Sequence, residues 1–140
     1  MTGRDRGISL AVEAVLVIPA LVLVLGLMVA GWRLWSVRTE VRFAAQSSAR
    51  AASLQVSGTS AKEAALRVAH EQLAGVPCVD RRVDVDTTEF ARVDGADATV
   101  RVHVRCRVTF DDLLLPGMPG SVDASASGAS VLDRFRERRP

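Results

Sequence analysis

The sequence predicts an α+β protein: a long N-terminal helix that crosses a membrane and extends out of it, a second short helix, and a small antiparallel sheet of two or three strands. Three observations carry this prediction. Ala14 to Trp32 are nineteen consecutive residues without a charge, mostly Val, Leu, Ile, Ala and Met. An Ala-rich segment with a helix-start signature follows a Ser57-Gly58-Thr59 turn. Ala98 to Phe110 then alternates apolar and polar residues over thirteen positions.

The first element has the length of a bilayer, since about 20 helical residues span the ~30 Å hydrocarbon core. Trp32 and Trp35 stand where interfacial aromatics are expected, and Ile8 to Val12 extend the apolar stretch before Glu13. Pro19 removes one helical hydrogen bond and introduces a kink point, a defect that membrane helices tolerate. The rival reading is a cleaved secretory signal, with Arg4 and Arg6 as its basic region and Met28-Val29-Ala30 as the cut site. Against it stand the length of the apolar stretch, the acid within it, and the absence of a helix-breaking region after it. Glu13 is the residue that wants a reason, because a carboxylate at the centre of a span costs about 2.5–3.5 kcal/mol, and less near the interface. It either reaches the headgroups or pairs with a cation on a neighbouring helix. Arg4 and Arg6 precede the span and Arg33, Arg38 and Arg42 follow it, so charge alone does not orient the helix and slightly favours a cytoplasmic C-terminus.

Beyond the span, residues 36–54 lack Gly and Pro, and Val37, Val41, Ala44, Ala45, Ser48, Ala51 and Ala52 recur at three- and four-residue spacing. The pattern continues the same helix with a stripe small enough for a partner helix or sheet to approach closely. The second helix is expected to begin at Ser60-Ala61-Lys62-Glu63, read as a capping box of Ser60 and Glu63, and to end at Gly75 and Pro77.

The remainder reads as sheet. Val83, Val85 and Thr87 alternate with Asp84 and Asp86, Asp94-Gly95 offers a hairpin turn, and Ala98, Val100, Val102, Val104, Cys106, Val108 and Phe110 form the inward phase of a long strand. Its outward phase sets Arg101, Arg105 and Arg107 in a basic ridge, a candidate contact face for an acidic ligand, with Asp84 and Asp86 as the structural alternative of cross-strand partners. Residues 113–120 form a rigid apolar loop, and Ser121 to Leu132 supply a third strand with Val122, Ala124 and Ala126 in phase, a reading weakened by Gly128. Segment boundaries follow: 1–7 a short Arg-containing leader, 8–35 transmembrane helix, 36–55 helix extension, 56–132 a small α+β domain, and 133–140 a charged tail.

Two cysteines, Cys78 and Cys106, are either buried thiols or, if the domain is exported, one disulfide. In the chain-entropy model such a bridge stabilises by roughly 3 kcal/mol. Several function classes are disfavoured. Net charge is +2, with 18 basic against 16 acidic residues, so no whole-chain attraction to nucleic acid arises. Tyr is absent and stacking residues are few. His70 and His103 each stand without ligands at metal spacing, and no nucleophile elbow, triad spacing or phosphate-cradling loop occurs, so neither an enzyme nor a metal or cofactor is expected.

Gly7-Ile8-Ser9-Leu10-Ala11-Val12-Glu13, Pro19 six residues on, a Leu/Val-rich span and a small-residue tail ending Ala49-Arg50-Ala51-Ala52-Ser53 resemble the TadE-like (TadE/TadG-type) pilus assembly proteins. The later layout is similar to that of actinobacterial members. The resemblance implies a pilin-like component of a tight-adherence (Flp-type) pilus system, anchored in the cytoplasmic membrane with its C-terminal domain outside. It implies other pilin-like subunits and assembly platform proteins as partners, alongside the lipid bilayer. In related pseudopilins a prepilin peptidase cuts after a Gly, and a Glu five residues into the mature chain assists subunit packing. Here that Gly is Gly7, the new start Ile8 and the Glu Glu13, although Glu13 falls six residues beyond Gly7 and Ala14 stands where an aromatic often follows. Pro19 belongs to the same packing segment. The alternative is a membrane-tethered binding module using the basic strand face.

Overall fold

A computed structural model of the chain describes residues 4–91, 98–113, 117 and 119–132, with side chains from Val15 onward. The expected architecture is present. Helix α1 (Arg4–Ser53) runs unbroken through Pro19 for 50 residues, about 75 Å at 1.5 Å per residue. Helix α2 (Gly58–Gln72) follows, and three strands, β1 (Asp80–Asp86), β2 (Thr99–Thr109) and β3 (Ser121–Val131), form one antiparallel sheet in the order β1-β2-β3.

The length of α1 divides by environment. Val15, Leu16, Ile18, Leu21 to Leu25, Leu27 and Met28 are all exposed, with none of the described residues of the domain covering them. This stretch is long and apolar enough to cross a membrane. From Val37 onward one face is buried: Val37, Val41, Ala44, Ala45, Ser48, Ala49 and Ala52 pack into the domain, while Arg38, Glu40, Arg42 and Arg50 stay outside. The small-residue stripe therefore serves its own chain, laying α1 across β2 and β3, with α2 beside it.

Helix α2 starts earlier than the sequence suggested. Its N-cap is Ser57, with extended dihedrals (φ −137°, ψ 156°), and the capping box joins Ser57 to Ser60 rather than Ser60 to Glu63. The Ser60 amide donates to Ser57 Oγ and the Ser57 amide to Ser60 Oγ, both at 3.3 Å. Only four residues separate the two helices, and Ser57 supplies the cap that so short a link needs.

In the long strand β2, Val100, Val102, Val104, Cys106 and Val108 are buried and the intervening residues are exposed, as strict alternation requires. β3 follows the expected phase, with Ala124 and Gly128 buried. Gly128 is where the helix comes closest: a Cβ built there would collide with the Ala45 carbonyl and the Gln46 nitrogen. The glycine that seemed to weaken the strand is thus the residue that lets α1 lie on it. The Asp94-Gly95 turn, Leu114 to Pro116, Met118 and the 133–140 tail lie outside the described residues.

Candidate membrane anchor and assembly site

The expected functional residues fall into three groups along the molecule. Gly7, Ile8 and Glu13 belong to the N-terminal part of α1 by backbone, and their side chains lie outside the described residues. Pro19 lies in the exposed apolar rod. Trp32 and Trp35, 67% and 64% exposed, stand where the bare helix meets the domain. The apolar rod can therefore meet lipid or neighbouring helices without disturbing the fold.

Three contacts fix how the domain is carried. Arg33 Nη1 donates to the Asp112 carbonyl at 2.9 Å. Gly128 abuts Ala45, and Ser130 Oγ lies 2.9 Å from Ser53 Oγ. Ordered along α1, these contacts show that β3 runs in the same direction as the helix, so the β2–β3 turn sits at the end nearest the apolar rod.

Cys78 and Cys106 are bonded, with S–S 2.03 Å and Cα–Cα 5.3 Å, which ties the turn after α2 to the core strand. A pairing of this kind persists in an oxidising compartment.

The basic ridge exists, but its neighbours differ from those expected. Asp86 does pair in register with Arg101, whereas Asp84 sits opposite His103, and the carboxylate that engages the ridge most closely is Asp123 on β3. Arg107 Nε donates to Asp123 Oδ1 at 2.9 Å, and Nη2 reaches Oδ2 at 3.5 Å. This bond holds the Asp123 carboxyl below the ordinary carboxylate range and raises Arg107 further. The Asp86 carboxyl is also lowered, first by hydrogen bonds from the Thr88 hydroxyl and amide and then by Arg101. Arg105 faces Arg82 across the β1–β2 ladder, a like-charge pair flanked on β3 by Ser125. Sequence reasoning missed Asp123 because its partner lies 16 residues away, beyond a turn whose length decides the register.

Along the other side of β3, Arg38, Arg42 and Gln46 of α1 face Asp123, Ser125, Ala126 and Ser127 across an open cleft of about 490 Å³. It is a shallow polar groove at the sheet edge. Among the described residues no group of three or more His, Cys, Asp or Glu side chains is placed to hold a metal ion.

Together these features define an α+β protein carried on one long helix, the outer part of which is apolar enough to cross a membrane. Residues 9–50 match the sequence model of the family described as TadE-like protein, and the N-terminal segment is of that family. The matched stretch holds Glu13, Pro19, the whole apolar rod and the packing stripe as far as Ala49. No curated protein and no solved structure matches the chain.

Proposed function

We propose that this chain is a pilin-like, membrane-anchored structural component of a tight-adherence pilus assembly or secretion system, with residues 8–35 in the cytoplasmic membrane and the disulfide-bonded domain outside. One observation carries the reading. The TadE-like match coincides with a continuous helix whose outer part is bare and apolar and whose inner part is committed to a small domain. A helix built this way can associate laterally through its exposed rod while its domain stays folded. Glu13 is the proposed contact residue within that association, because an acid inside an apolar rod gains most from a cationic partner. Gly7-Ile8 is the proposed cut site should prepilin peptidase be a partner.

Intact-mass measurement of membrane-extracted protein tests the anchor and its processing together. A start at Ile8 establishes peptidase cleavage, and an uncut chain establishes a permanently anchored accessory subunit. A start near Gly31 would remove the anchor and sink the proposal. Affinity purification from detergent-solubilised membranes is expected to recover other pilin-like subunits and platform proteins, and recovery to weaken when Glu13 is changed to Gln.

The alternative, a binding module on the basic strand face, draws on Arg82 and Arg105, which stand opposite each other in the β1–β2 ladder, with Arg82 Nε also 3.3 Å from Asp80 Oδ2. It predicts that Arg105→Glu abolishes capture of an acidic ligand while pilus assembly is unaffected.

A further inference from the structure

The end of the domain nearest the apolar rod is built differently from an ordinary solvent-facing turn. Arg33 follows directly on the nineteen uncharged residues, so its backbone lies at the edge of the hydrocarbon if Ala14–Trp32 fill the bilayer core. Its guanidinium holds the Asp112 carbonyl at 2.9 Å, which brings the start of the β2–β3 turn to within one arginine side chain of that edge. The headgroup region is only about 5–8 Å deep on each side.

The two described ends of the turn are fixed by their own bonds. The Phe110 amide donates to the Gly120 carbonyl and the Leu113 amide to the Phe110 carbonyl, both at 3.1 Å. The Thr109 hydroxyl donates to Asp112 Oδ2 at 2.7 Å. Gly120, at φ +136°, lies against the Phe110 ring so closely that a Cβ would stand 2.6 Å from Cε2. Leu113 is buried, while Asp111, Gly117 and Pro119 are exposed. Leu114, Leu115, Pro116 and Met118, which complete the turn in sequence, lie outside the described residues, and the level rests on their described neighbours. The same end carries exposed Pro77 and Val79, since the Val79 amide bonds the Arg107 carbonyl near the foot of β2.

We propose that this base of the domain rests on the bilayer surface, giving the protein a second lipid contact beside the spanning helix. The contact rests on the membrane-anchor reading above. Apolar exposure does not by itself select this end, because Leu54, Val56 and Val131 are exposed at the opposite one. The level set by Arg33 does. Asp111 and Asp112 keep the turn among the headgroups rather than the acyl chains, and Trp32 and Trp35 beside it are suited to the same layer. A domain held at two points on the membrane presents the α1–α2 link and the start of β2 away from the bilayer.

The test uses full-length protein in phosphatidylcholine vesicles containing a lipid spin-labelled high on its acyl chain. Single cysteines at Asp111→Cys and Pro119→Cys, labelled with an environment-sensitive fluorophore while the native disulfide stays closed, report the base. Thr59→Cys reports the distal end and Val22→Cys the span. The base probes are expected to shift to the blue and lose most of their emission to the spin label, with Thr59 unaffected. Base probes as bright as the Thr59 probe, with Val22 quenched, overturn the second contact and leave the anchor standing. An unquenched Val22 probe overturns the anchor, and the second contact falls with it. Quenching that appears only when phosphatidylglycerol is added assigns the approach to Arg33, Arg38 and Arg42 and overturns contact through the base of the domain.

Discussion

At the scale of single residues, the interface between α1 and the sheet depends on what is missing from side chains. Gly128 has no Cβ, and one placed there would collide with the Ala45 carbonyl. Gly128→Ala must therefore push the helix off the strand, and a loss of about 1–3 kcal/mol is expected in thermal or denaturant unfolding of the solubilised protein. Ser48 offers the opposite case: it is fully buried on the same helix face, and its Oγ has no hydrogen-bond partner among the described residues. Ser48→Ala removes an unsatisfied hydroxyl with almost no change of shape, so the same assay should show unchanged or slightly raised stability. Charged residues at the surface set the pH response. The Asp123 and Asp86 carboxyls lie lower in the folded protein than in an unfolded chain. Their contribution is present above the ordinary carboxylate pKa and is lost as pH falls through the lowered values. Melting temperature should therefore decline below about pH 4, and Asp123→Asn should flatten that decline. Both side chains are exposed, so the effect is small.

At the scale of elements, hydrophobic periodicity was sufficient where one face decides burial. The small-residue stripe of α1 and the alternation of β2 carry their environment in their spacing and appear in the fold as read, and the uncharged run appears as one exposed apolar helix. Local signals that compete with one another were less legible. Ser60 and Glu63 have the spacing of a capping box, but so do Ser57 and Ser60, and the short link from Ser53 decides for the earlier pair. Ser57→Ala is accordingly expected to cost about 1 kcal/mol, while Glu63→Ala, with an exposed side chain, should change stability by much less. Equal losses from the two would return the cap to Ser60. Cross-strand partners were illegible for a different reason: register depends on turn length, and composition cannot choose Asp123 over Asp84 for Arg107. Gly128 shows the same limit, since its lack of a side chain acquires meaning only when a helix lies over the strand.

At the scale of the whole molecule, a small domain must hold its place at the end of a long lever. Among the described residues its core is built largely of Ala and Val, with Leu73 the largest fully buried side chain, so each apolar contact contributes modestly. The Cys78–Cys106 bond joins the turn after α2 to the centre of the sheet over a separation of 28 residues. Restricting the unfolded chain over a loop of that size is worth roughly 3 kcal/mol in the chain-entropy model. In a domain this small, such a loss lowers the melting temperature by on the order of 10–20 °C. Solubilised full-length protein should therefore unfold well below its oxidised midpoint once reductant is added, as read by the loss of strand signal in circular dichroism. Loss of the bridge should act on the domain and leave the helical signal of the apolar rod largely intact, because Val15 to Leu25, Leu27 and Met28 are exposed and take no part in the domain core. Alkylation with and without prior reduction checks the premise: protein isolated from cells should gain two modified thiols after reduction. Two reactive thiols before reduction would show that the domain does not meet an oxidising compartment, and would reverse the orientation proposed for the anchor.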